Sequence, residues 1–579
     1  MATQNATLDG VNDFSLFGQS YSWSNGWIGF VAPYAGQGAA SYQYNFTLTG
    51  NWTIKAMDFG GDAPISVNLL DVPGGGGRRI DYLDLPDGGT HVISLTDTRI
   101  RFIHGGEADH VITLGSQSVT TVNLNDGDDT VTTGSGFVEM ISSWAGNNDV
   151  TVLGSVGSIR LGDGRDDIVI DGGWVDSIST GDKADTLLVK GGGGANMVYL
   201  GRGDNSVTLR KNTNLDYLSA NEGDDTVTLA TGTRISTVEL RGGDDVVTLN
   251  GDSRIFQIKL GDGDDTLTSG SGYMESIYSW NGNNKITIGD GGAGAVQTGD
   301  GNDVIRAEGG WVNLIRTGSG KDKVIVNGEG AETISTRDGG DNVQVNSGFI
   351  WQVLTGTGAD KVVLGSDQGF GQIRTGDGKD TVILSETLAD RAGLIGGGNG
   401  IDKVDFSKFS SGVTVDLRDL GYQNVTAPGS PVGTGNGLFA IVGVEKLDGT
   451  GHADSLTGNE GNNTLRGGAG GDMLSGMASR DRLFGDQGSD LLDGGKGADV
   501  LTGGAGGDTF FFSKGDGRND RITDFQVGLD VVEFKGATGL SDIGFAQSGS
   551  DVILSYMNVE VTVQNVALND MNDADNFIF

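Results

Sequence analysis

The sequence predicts an all-β protein whose main part is a right-handed parallel β-solenoid, a fold in which successive coils stack and pair their strands. Three observations predict it. Acidic or amide residues recur at a nearly constant interval, aliphatic residues recur at fixed distances from them, and glycine-rich turns bound the short segments between. We expect coils of 19 or 20 residues, preceded by a small N-terminal β-domain and followed by a β-roll of nine-residue repeats.

The acidic line consists of the last residue of each turn of the type GDGDD. From Asp109 to Asp380, fourteen intervals cover 271 residues, about 19.4 residues each, and such a period is typical of a solenoid. We call this line the carboxylate ladder. Its predicted members are Asp109, Asp129, Asn148, Asp166, Asp185, Asn205, Asp225, Asp245, Asp265, Asn284, Asp303, Asp322, Asp341, Asp360 and Asp380.

Two aliphatic lines accompany the ladder. One residue follows each ladder position by two, from Val111 to Val382, and another precedes it by seven, from Phe102 to Ile373. Around these positions apolar and polar residues alternate, as in TVTL after Asp225, which indicates short strands with one buried face. The pattern predicts a solenoid over residues 96–395 with both lines pointing inward.

Residues 1–95 do not follow this period, and they are rich in aromatic residues. The segments YQYNFTLTG and NWTIKAMDF alternate and favour a hairpin in an N-terminal β-domain that caps the first coil. A second interpretation is a carbohydrate-binding or self-assembly face. Its candidate residues are Trp23, Trp27, Tyr34 and Trp52.

The solenoid also contains a longer repeat. SGFVEMISSWAGNN from Ser135 resembles SGYMESIYSWNGNN from Ser271, so a block of seven coils occurs twice. Trp144 and Trp280 occupy the same place in the two blocks, as do Trp174 and Trp311. Packing of these rings in or against the coil is the expectation.

Composition narrows the function classes. The net charge of −39 disfavours nucleic acid and anionic membranes as partners and favours cations. There is no cysteine, hence no disulfide or thiolate metal site. No run of 18 apolar residues indicates a membrane span, and the first ten residues lack the pattern of a cleaved signal peptide.

A different period begins after a connecting β segment over residues 396–448. Seven nonapeptides follow one another over residues 449–513, from GTGHADSLT through GDQGSDLLD to GGAGGDTFF. They resemble the GGxGxDxUx repeat of the RTX, or hemolysin-type, calcium-binding proteins. Residues 514–579, from GDGRNDRITDF to DADNFIF, resemble the C-terminal cap and uncleaved signal of type I secretion substrates. The 19-residue coils resemble the family only loosely.

The resemblance implies Ca²⁺ held between the turns of neighbouring coils by carboxylates and backbone carbonyls, the oxygen ligands that calcium prefers. In the repeats Asn463 replaces one acid, and Ser479 replaces a turn glycine. The longer solenoid has one such turn per coil, so calcium is expected along one edge. The predicted metal ligands are Asp129, Asp166, Asp185, Asp225, Asp245, Asp265, Asp303, Asp322, Asp341, Asp360, Asp380, Asp402, Asp454, Asp472, Asp481, Asp490, Asp499 and Asp508.

Two alternatives accompany this prediction. The ladder aspartates can instead be solvated residues that favour tight turns. The upstream acids of the GDG turns, which stand third when each turn is counted from the residue five before the ladder position, can add ligands; these are Asp126, Asp163, Asp262, Asp300 and Asp377.

The function favoured by these patterns is a secreted calcium-binding structural protein of the bacterial surface or matrix that folds on extracellular calcium. Self-association, a surface polysaccharide and the type I secretion machinery are the expected partners. An enzyme is not expected, because HExxH and a G-x-S-x-G nucleophile elbow are missing. The alternatives are a polysaccharide lyase or epimerase on the solenoid flank and a host adhesin.

Overall fold

Each coil contains two short strands in which buried and exposed side chains alternate. Each strand pairs in parallel with its counterpart one coil away. The computed structural model describes residues 2–8, 13–16, 19–22, 27–31, 42–48, 53–60, 65–71, 79–96, 98–365, 369–385, 393–425, 438–516 and 518–579. The chain forms two units, residues 1–292 and 293–579, which are described separately.

The first unit contains two parallel sheets. We call the sheet whose strands follow the ladder residues the ladder sheet; its strands are Ala2–Leu8, Tyr42–Leu48, Ile65–Asp71, His91–Thr96, His110–Thr113, Thr130–Thr132, Asp149–Val152, Asp167–Asp171, Thr186–Lys190, Ser206–Leu209, Thr226–Leu229, Val246–Leu249, Thr266–Thr268 and Lys285–Ile288. The other sheet is the flank sheet; its strands are Trp27–Val31, Thr53–Gly60, Arg79–Asp84, Ile100–His104, Val119–Asn123, Val138–Ser142, Ser155–Arg160, Trp174–Ser179, Gly194–Tyr199, Asn214–Ser219, Arg234–Glu239, Arg254–Lys259 and Met274–Tyr278. A separate antiparallel pair is formed by Asp13–Leu16 and Gln19–Ser22.

The core of this unit lies between the two sheets. One column of the ladder sheet runs from Val150 through Ile168 and Leu187 to Val207, in register across four strands, and these side chains are at most 2% exposed. A matching column of the flank sheet runs from Ile141 to Ile277. Burial of each aliphatic side chain contributes about 1.5–3 kcal/mol, so the stacked columns supply the stabilisation that one coil alone lacks.

The second unit continues the same architecture and then changes it. Its ladder sheet contains Val304–Ala307, Lys323–Val326, Asn342–Val345, Lys361–Leu364, Thr381–Ser385, Lys403–Lys408, Lys446–Asp448, Thr464–Ala469, Arg482–Gln487, Val500–Ala505, Arg518–Ile522, Val559–Val563, Asp551–Tyr556 and Gly544–Ser548. Its flank sheet contains Ala293–Gln297, Val312–Arg316, Gly330–Ser335, Phe349–Gly358, Phe370–Gly378, Gly393–Gly400, Leu438–Val442 and Gln423–Asn424.

The nonapeptides place their strands alternately in two sheets, so two repeats complete one coil. The first of these sheets is the ladder sheet. The second contains Thr414–Asp416, Ser455–Thr457, Met473–Ser475, Leu491–Asp493, Thr509–Phe512, Val531–Phe534 and Phe577–Ile578. The helical elements in the described residues are short: Leu540–Asp542, Leu568–Met571 and Ala574–Asn576. The predicted all-β parallel solenoid with a nonapeptide β-roll is therefore confirmed.

Two details of the prediction are wrong. Tyr42–Leu48 pairs in parallel with Ile65–Asp71, and Thr53–Gly60 pairs in parallel with Arg79–Asp84, so these segments are solenoid strands and not a hairpin. Alternation alone does not distinguish the two arrangements, because both bury every second residue. The domain boundaries stay predictions. The side chains of Trp23, Trp27, Tyr34 and Trp52 lie outside the described residues.

The second error concerns one coil. Ile112 and Ile103 are the inward residues there, with no exposed surface, whereas Val111 and Phe102 are half-buried. Because the coil is shifted by one residue, His110 takes the ladder position and Asp109 is exposed. A shift of one residue turns every side chain of a strand to the opposite face.

Candidate metal centre

The ladder is held by hydrogen bonds between each carboxylate and the backbone of the preceding coil. In the first unit the Asp245 amide donates to Asp265 Oδ1 at 3.1 Å, and the Asp225 amide donates to Asp245 Oδ1 at 2.8 Å. The same bond recurs in the second unit, as between the Asp360 amide and Asp380 Oδ1 at 2.8 Å. Each ladder side chain therefore satisfies a turn N–H group that the sheets leave unpaired.

All eighteen predicted ligands occupy this position, and each is at most 3% exposed. The alternative of solvated turn residues is therefore wrong for them. One carboxylate oxygen of most is buried without a hydrogen-bond partner, and burial of such an atom is unfavourable unless a cation or a proton compensates it. This oxygen is Oδ2 of Asp129, Asp166, Asp185, Asp225, Asp245, Asp322, Asp341, Asp360, Asp380, Asp402, Asp472, Asp481, Asp490, Asp499 and Asp508.

Where the residue before the ladder position is an acid, it forms a second ladder on the exposed side of the turn. The Asp244 amide donates to Asp224 Oδ1 at 2.7 Å, and the Asp264 amide donates to Asp244 Oδ1 at 2.8 Å. Asp109 belongs here, since it accepts from the Asp128 amide at 2.9 Å. The paired acids of each GDGDD turn thus have distinct structural roles, one buried and one exposed.

The first residue of each turn separates two classes of ladder site. In the nonapeptides it is glycine. A Cβ atom added to Gly467 would lie 2.2 Å from Asp472 Oδ2 and 2.9 Å from the carbonyl oxygen of Gly485, one coil further. At Gly485 the corresponding distances, to Asp490 Oδ2 and the Gly503 carbonyl oxygen, are 2.3 and 2.5 Å.

We call this space the glycine cradle. It is bordered by a carboxylate oxygen and a carbonyl oxygen, and its glycines have no left-handed φ that would itself require glycine. Cradles of this kind occur at Gly397, Gly449, Gly467, Gly476 and Gly485, where both oxygens approach. At Gly494 and Gly503 the nearest atom is the carboxylate oxygen, Oδ2 of Asp499 and Asp508.

In the 19-residue coils a side chain stands at the same position. Strand register places Thr355 and Thr375 in the column of Gly397, and Thr355 Oγ1 donates to the Thr375 carbonyl at 2.8 Å. In the first unit the position is taken by buried residues such as Leu240 and Leu260, both with no exposed surface. In these coils a side chain therefore occupies the space beside the unpaired carboxylate oxygen, whereas in the repeats this space is the glycine cradle.

The donors of the cradle fit calcium. Hard oxygen ligands from carboxylates and backbone carbonyls are those that Ca²⁺ takes. Among the described residues no group of three or more His, Asp or Glu side chains converges, so backbone carbonyls would complete each coordination shell. Glycine leaves room for the ion between two coils.

Burial raises the pKa of most of the ladder carboxyls. It raises the pKa of Asp472 and Asp481 to about 7 in the repeats. In the first unit burial, aided by neighbouring ladder carboxylates, raises the pKa of Asp245 to about 9. A charged ladder without compensation is thus unfavourable at neutral pH.

At some ladder positions asparagine replaces aspartate, and its uncharged side-chain amide donates a hydrogen bond to a backbone carbonyl. Asn148 Nδ2 donates to the Gly146 carbonyl at 2.9 Å and Asn205 Nδ2 to the Gly203 carbonyl at 2.8 Å. A carboxylate has no proton for such a bond. In the repeats Asn463 keeps the ladder position, and its backbone N–H donates to Asp481 Oδ1 at 2.7 Å, but its side-chain Nδ2 is buried without a hydrogen-bond partner. Ser479 adopts φ 78° in place of the glycine.

Some ladder residues escaped the sequence analysis. Asp520 and Asp530 accept from the amides of Asp499 and Asp508 at 2.9 Å, so both extend the ladder beyond the repeats. The motif GDGRND, which ends at Asp520, resembles the other ladder turns and could have indicated this residue from the sequence. At the other end of the ladder, His110 Nδ1 lies 2.9 Å from Asp129 Oδ1. Because this ladder position holds a histidine and not an acid, the period of the acids did not indicate it. The third-position acids Asp262 and Asp377 are exposed and bond to Asn281 and Asn399.

Comparison with family models finds calcium-binding repeats both in the nonapeptides and in two stretches of the longer coils. The family model of the RTX calcium-binding nonapeptide repeat (4 copies) matches residues 175–207, 257–273, 448–483, 475–510 and 484–518. No curated protein sequence matches the chain. No helix in the described residues is both long and apolar enough to cross a bilayer.

Two solved structures are similar in part. The extracellular lipase LipA from Serratia marcescens is 18% identical over 47% of this chain and 45% of its own, with a TM-score of 0.20. The AlgE6R3 subunit from the Azotobacter vinelandii mannuronan C5-epimerase is 28% identical over 22% of this chain and 78% of its own, with a TM-score of 0.13. The chain thus spans less than half of the lipase, and at these scores neither likeness carries an argument. On the family match, the chain contains repeats of the RTX (hemolysin-type) calcium-binding family, and these repeats bind multiple Ca²⁺ ions.

Proposed function

We propose that this protein is a secreted structural component of the bacterial cell surface or extracellular matrix that folds when it meets extracellular calcium. The observation that carries the proposal is the glycine cradle, where a buried carboxylate oxygen and a carbonyl oxygen of the next coil border one small space. An ion there joins two coils and offsets the charge of the ladder.

The residues that would hold calcium are the ladder aspartates of turns that begin with glycine: Asp402, Asp454, Asp472, Asp481, Asp490, Asp499 and Asp508. When bound, the ion supplies positive charge and coordination by oxygen. The ligand role predicted for the solenoid aspartates, from Asp129 to Asp380, stays a prediction. Leucine, threonine, serine or alanine begins most of those turns, which favours a different compensation there.

The linkage between calcium binding and folding sets how strongly the free energy of unfolding depends on the calcium concentration. A site with a Kd of about 10⁻⁴ M is stabilised by about 1.4 kcal/mol at about 1 mM calcium, and hardly at all at submicromolar calcium. Seven such sites contribute about 10 kcal/mol, which is comparable to the net stability of a whole domain. The chain would therefore remain unfolded in its C-terminal part inside the cell and fold outside it.

Export would use the C-terminal segment, residues 514–579, as a type I secretion signal. A chain that stays unfolded at cytosolic calcium fits passage through a secretion channel, and external calcium would then drive folding on the outside. This gives the protein an extracellular or cell-surface location.

We favour a structural role over catalysis because two of the four histidines are buried. His91 and His110 have no exposed surface, so neither can meet a substrate. The lyase or epimerase alternative needs acid and base groups on an exposed flank; the buried ladder carboxylates do not supply them, and such an enzyme would have to use Tyr82, His104 and Arg160 of the flank sheet. A host adhesin remains the alternative among binding proteins.

Circular dichroism and electron microscopy of the purified full chain test the proposal. We expect β-signal to increase when millimolar calcium replaces EGTA, and regular sheets or fibres to form. An unchanged β-signal in EGTA would refute calcium-dependent folding. Single dispersed particles at all calcium concentrations would refute the scaffold role.

A further inference from the structure

The flank sheet of the first unit carries an exposed aromatic groove that the calcium sites do not involve. It lies across five neighbouring strands, from Arg79–Asp84 to Ser155–Arg160, and has a volume of about 640 Å³. Parallel strands lie about 4.8 Å apart, so the groove extends for about 19 Å. Its length suits an extended chain better than a single small molecule.

Aromatic rings form one side of this groove. Tyr82 and Phe102 stack with their ring centres 4.9 Å apart, and His104 lies 6.1 Å from Tyr82. Trp144 stands at the other end with 70% of its surface exposed. Rings exposed in a row on a monomer mark an interaction surface, because their burial in the unit would have been favourable.

Polar groups border the rings. Ser142 Oγ donates to Asn123 Oδ1 at 3.1 Å, so the Ser142 hydroxyl group orients the side-chain amide of Asn123. Both residues lie in the column of the sheet that joins His104 to Arg160. Ring faces flanked by hydroxyl and amide groups match a sugar chain, whose C–H faces stack on aromatic rings while its hydroxyl groups exchange hydrogen bonds.

The charge of the groove is opposite to that of the protein. None of its ten lining residues is acidic, and Arg160 is exposed at one side. The Arg101 guanidinium lies 5.1 Å from the centre of the Phe102 ring at the edge. The nearest carboxylate in the column, Asp84, lies one strand beyond His104. Salt at 0.15 M screens charges beyond about 8 Å, so at Arg160, four strands from Asp84, the local cation outweighs the net charge of −39.

We propose that this groove binds an acidic polysaccharide, with sugar rings on Tyr82, Phe102 and Trp144 and a carboxylate or sulfate group at Arg160. The site would attach the protein to an anionic glycan of the cell surface or matrix. It is independent of the calcium cradles, which lie in the second unit.

The chain offers a matched control in its own duplication. Trp280 occupies the same turn position as Trp144, and both amides donate to a carbonyl of the preceding coil, at 2.8 and 2.6 Å. Trp280 is also exposed, at 54%. In the same column of the flank sheet, however, Lys259 pairs in register with Tyr278, and Lys259 Nζ forms an ion pair with Glu239 Oε1 at 2.7 Å, so this cation is neutralised.

Isothermal titration calorimetry of the full chain tests the proposal, at one fixed millimolar free calcium concentration. The probes are hexagalacturonate, which is acidic, and cellohexaose, which is neutral. We expect hexagalacturonate to bind more tightly than cellohexaose. Trp144→Ala should weaken hexagalacturonate binding by at least tenfold, Arg160→Gln should abolish the preference for the acidic probe, and Trp280→Ala should change neither.

Three results would overturn the proposal. They are failure of the wild-type chain to bind hexagalacturonate, equal binding of both probes, and an equal loss with Trp280→Ala. Circular dichroism of each variant in calcium checks that the solenoid is intact. Calcium-dependent folding of a chain that binds no glycan would leave the proposed calcium role unaffected.

Discussion

At the scale of single residues, the first position of the turn decides what compensates a buried carboxylate. Glycine leaves a space between two oxygens, as at Gly485, whereas leucine or threonine places a side chain there. The ladder hydrogen bonds are the same in both classes. One methyl group is therefore enough to test which sites hold an ion.

Gly485→Ala should remove one calcium ion. The added Cβ would lie 2.3 Å from Asp490 Oδ2 and 2.5 Å from the Gly503 carbonyl oxygen, and the backbone has no left-handed φ to be strained. Equilibrium dialysis should show about one ion fewer, and refolding should need more calcium. Gly451→Ala is the control, because its Cβ would meet nothing within 4 Å. Unchanged stoichiometry in Gly485→Ala would contradict the cradle.

The buried ladder of the first unit predicts a pH dependence. Burial raises the pKa of Asp245 to about 9, from an ordinary value of 3.8. A raised folded-state pKa means that the folded chain binds the proton more tightly, so this contribution is full below about pH 4 and is lost as the pH rises to about 9. In EDTA, the unfolding free energy of the solenoid measured with denaturant should fall across this range.

Asp245→Asn should reduce that dependence. Its amide can reach the carbonyl of Gly243 as Asn205 reaches that of Gly203, and the variant should be more stable than the wild type at pH 8 by about 1–3 kcal/mol. Stabilities measured at pH 5 provide the comparison. A loss of bound calcium in Asp245→Asn would instead support the sequence-based prediction that this residue is a metal ligand.

At the scale of elements, the strands of the nonapeptides and those of the longer coils differ in what holds them. A nonapeptide strand such as Leu491–Asp493 has three residues and only Leu492 at the centre of its burial pattern. A longer-coil strand such as Thr226–Leu229 buries both Val227 and Leu229. With fewer apolar contacts per strand, the repeats depend more on the ion between their turns.

Hydrogen exchange in EGTA should therefore separate the two classes. We expect amides of Met473–Ser475 and Leu491–Asp493 to exchange rapidly, whereas those of Thr226–Leu229 and Val246–Leu249 stay protected. Calcium should restore protection to the repeats alone. If the strands of the longer coils lost protection over the same calcium range, the solenoid aspartates would also be ligands.

At the scale of the whole molecule, the net charge of −39 makes a cation necessary for more than local reasons. Self-repulsion opposes any compact state of such a chain. Screening by any salt relieves part of this repulsion, but only an ion that accepts six to eight oxygens at flexible angles fits the cradles.

Removal of calcium should thus be reversed by calcium and not by magnesium. In EGTA we expect the hydrodynamic radius of the full chain to increase and its β-signal to fall. Millimolar calcium should restore both, whereas equal magnesium should not, because Mg²⁺ requires a small octahedral shell and loses water reluctantly. Recovery in magnesium, or in sodium chloride of equal ionic strength, would mean that screening alone suffices.

Much of the fold was predictable from periodicity, and the errors have physical causes. The inward columns from Val131 onward and the nonapeptide turns follow from spacing alone, since a constant period stacks equal positions. In one coil the acid, Asp109, stands one residue before the ladder position, which His110 occupies, so a count based on acids was wrong by one residue there. Trp144 and Trp280 were expected to pack against the coil but are exposed, because turn position and not residue type sets their direction.

The amino-acid sequence by itself determined the parallel stack of coils, the ladder of acids and the family of repeats, because all three are functions of spacing along the chain. Only the tertiary structure decided which oxygens are left unpaired, which turns have room for an ion, and which rings meet in the aromatic groove. These depend on atoms 18 to 20 residues apart that become neighbours only when one coil lies on the next.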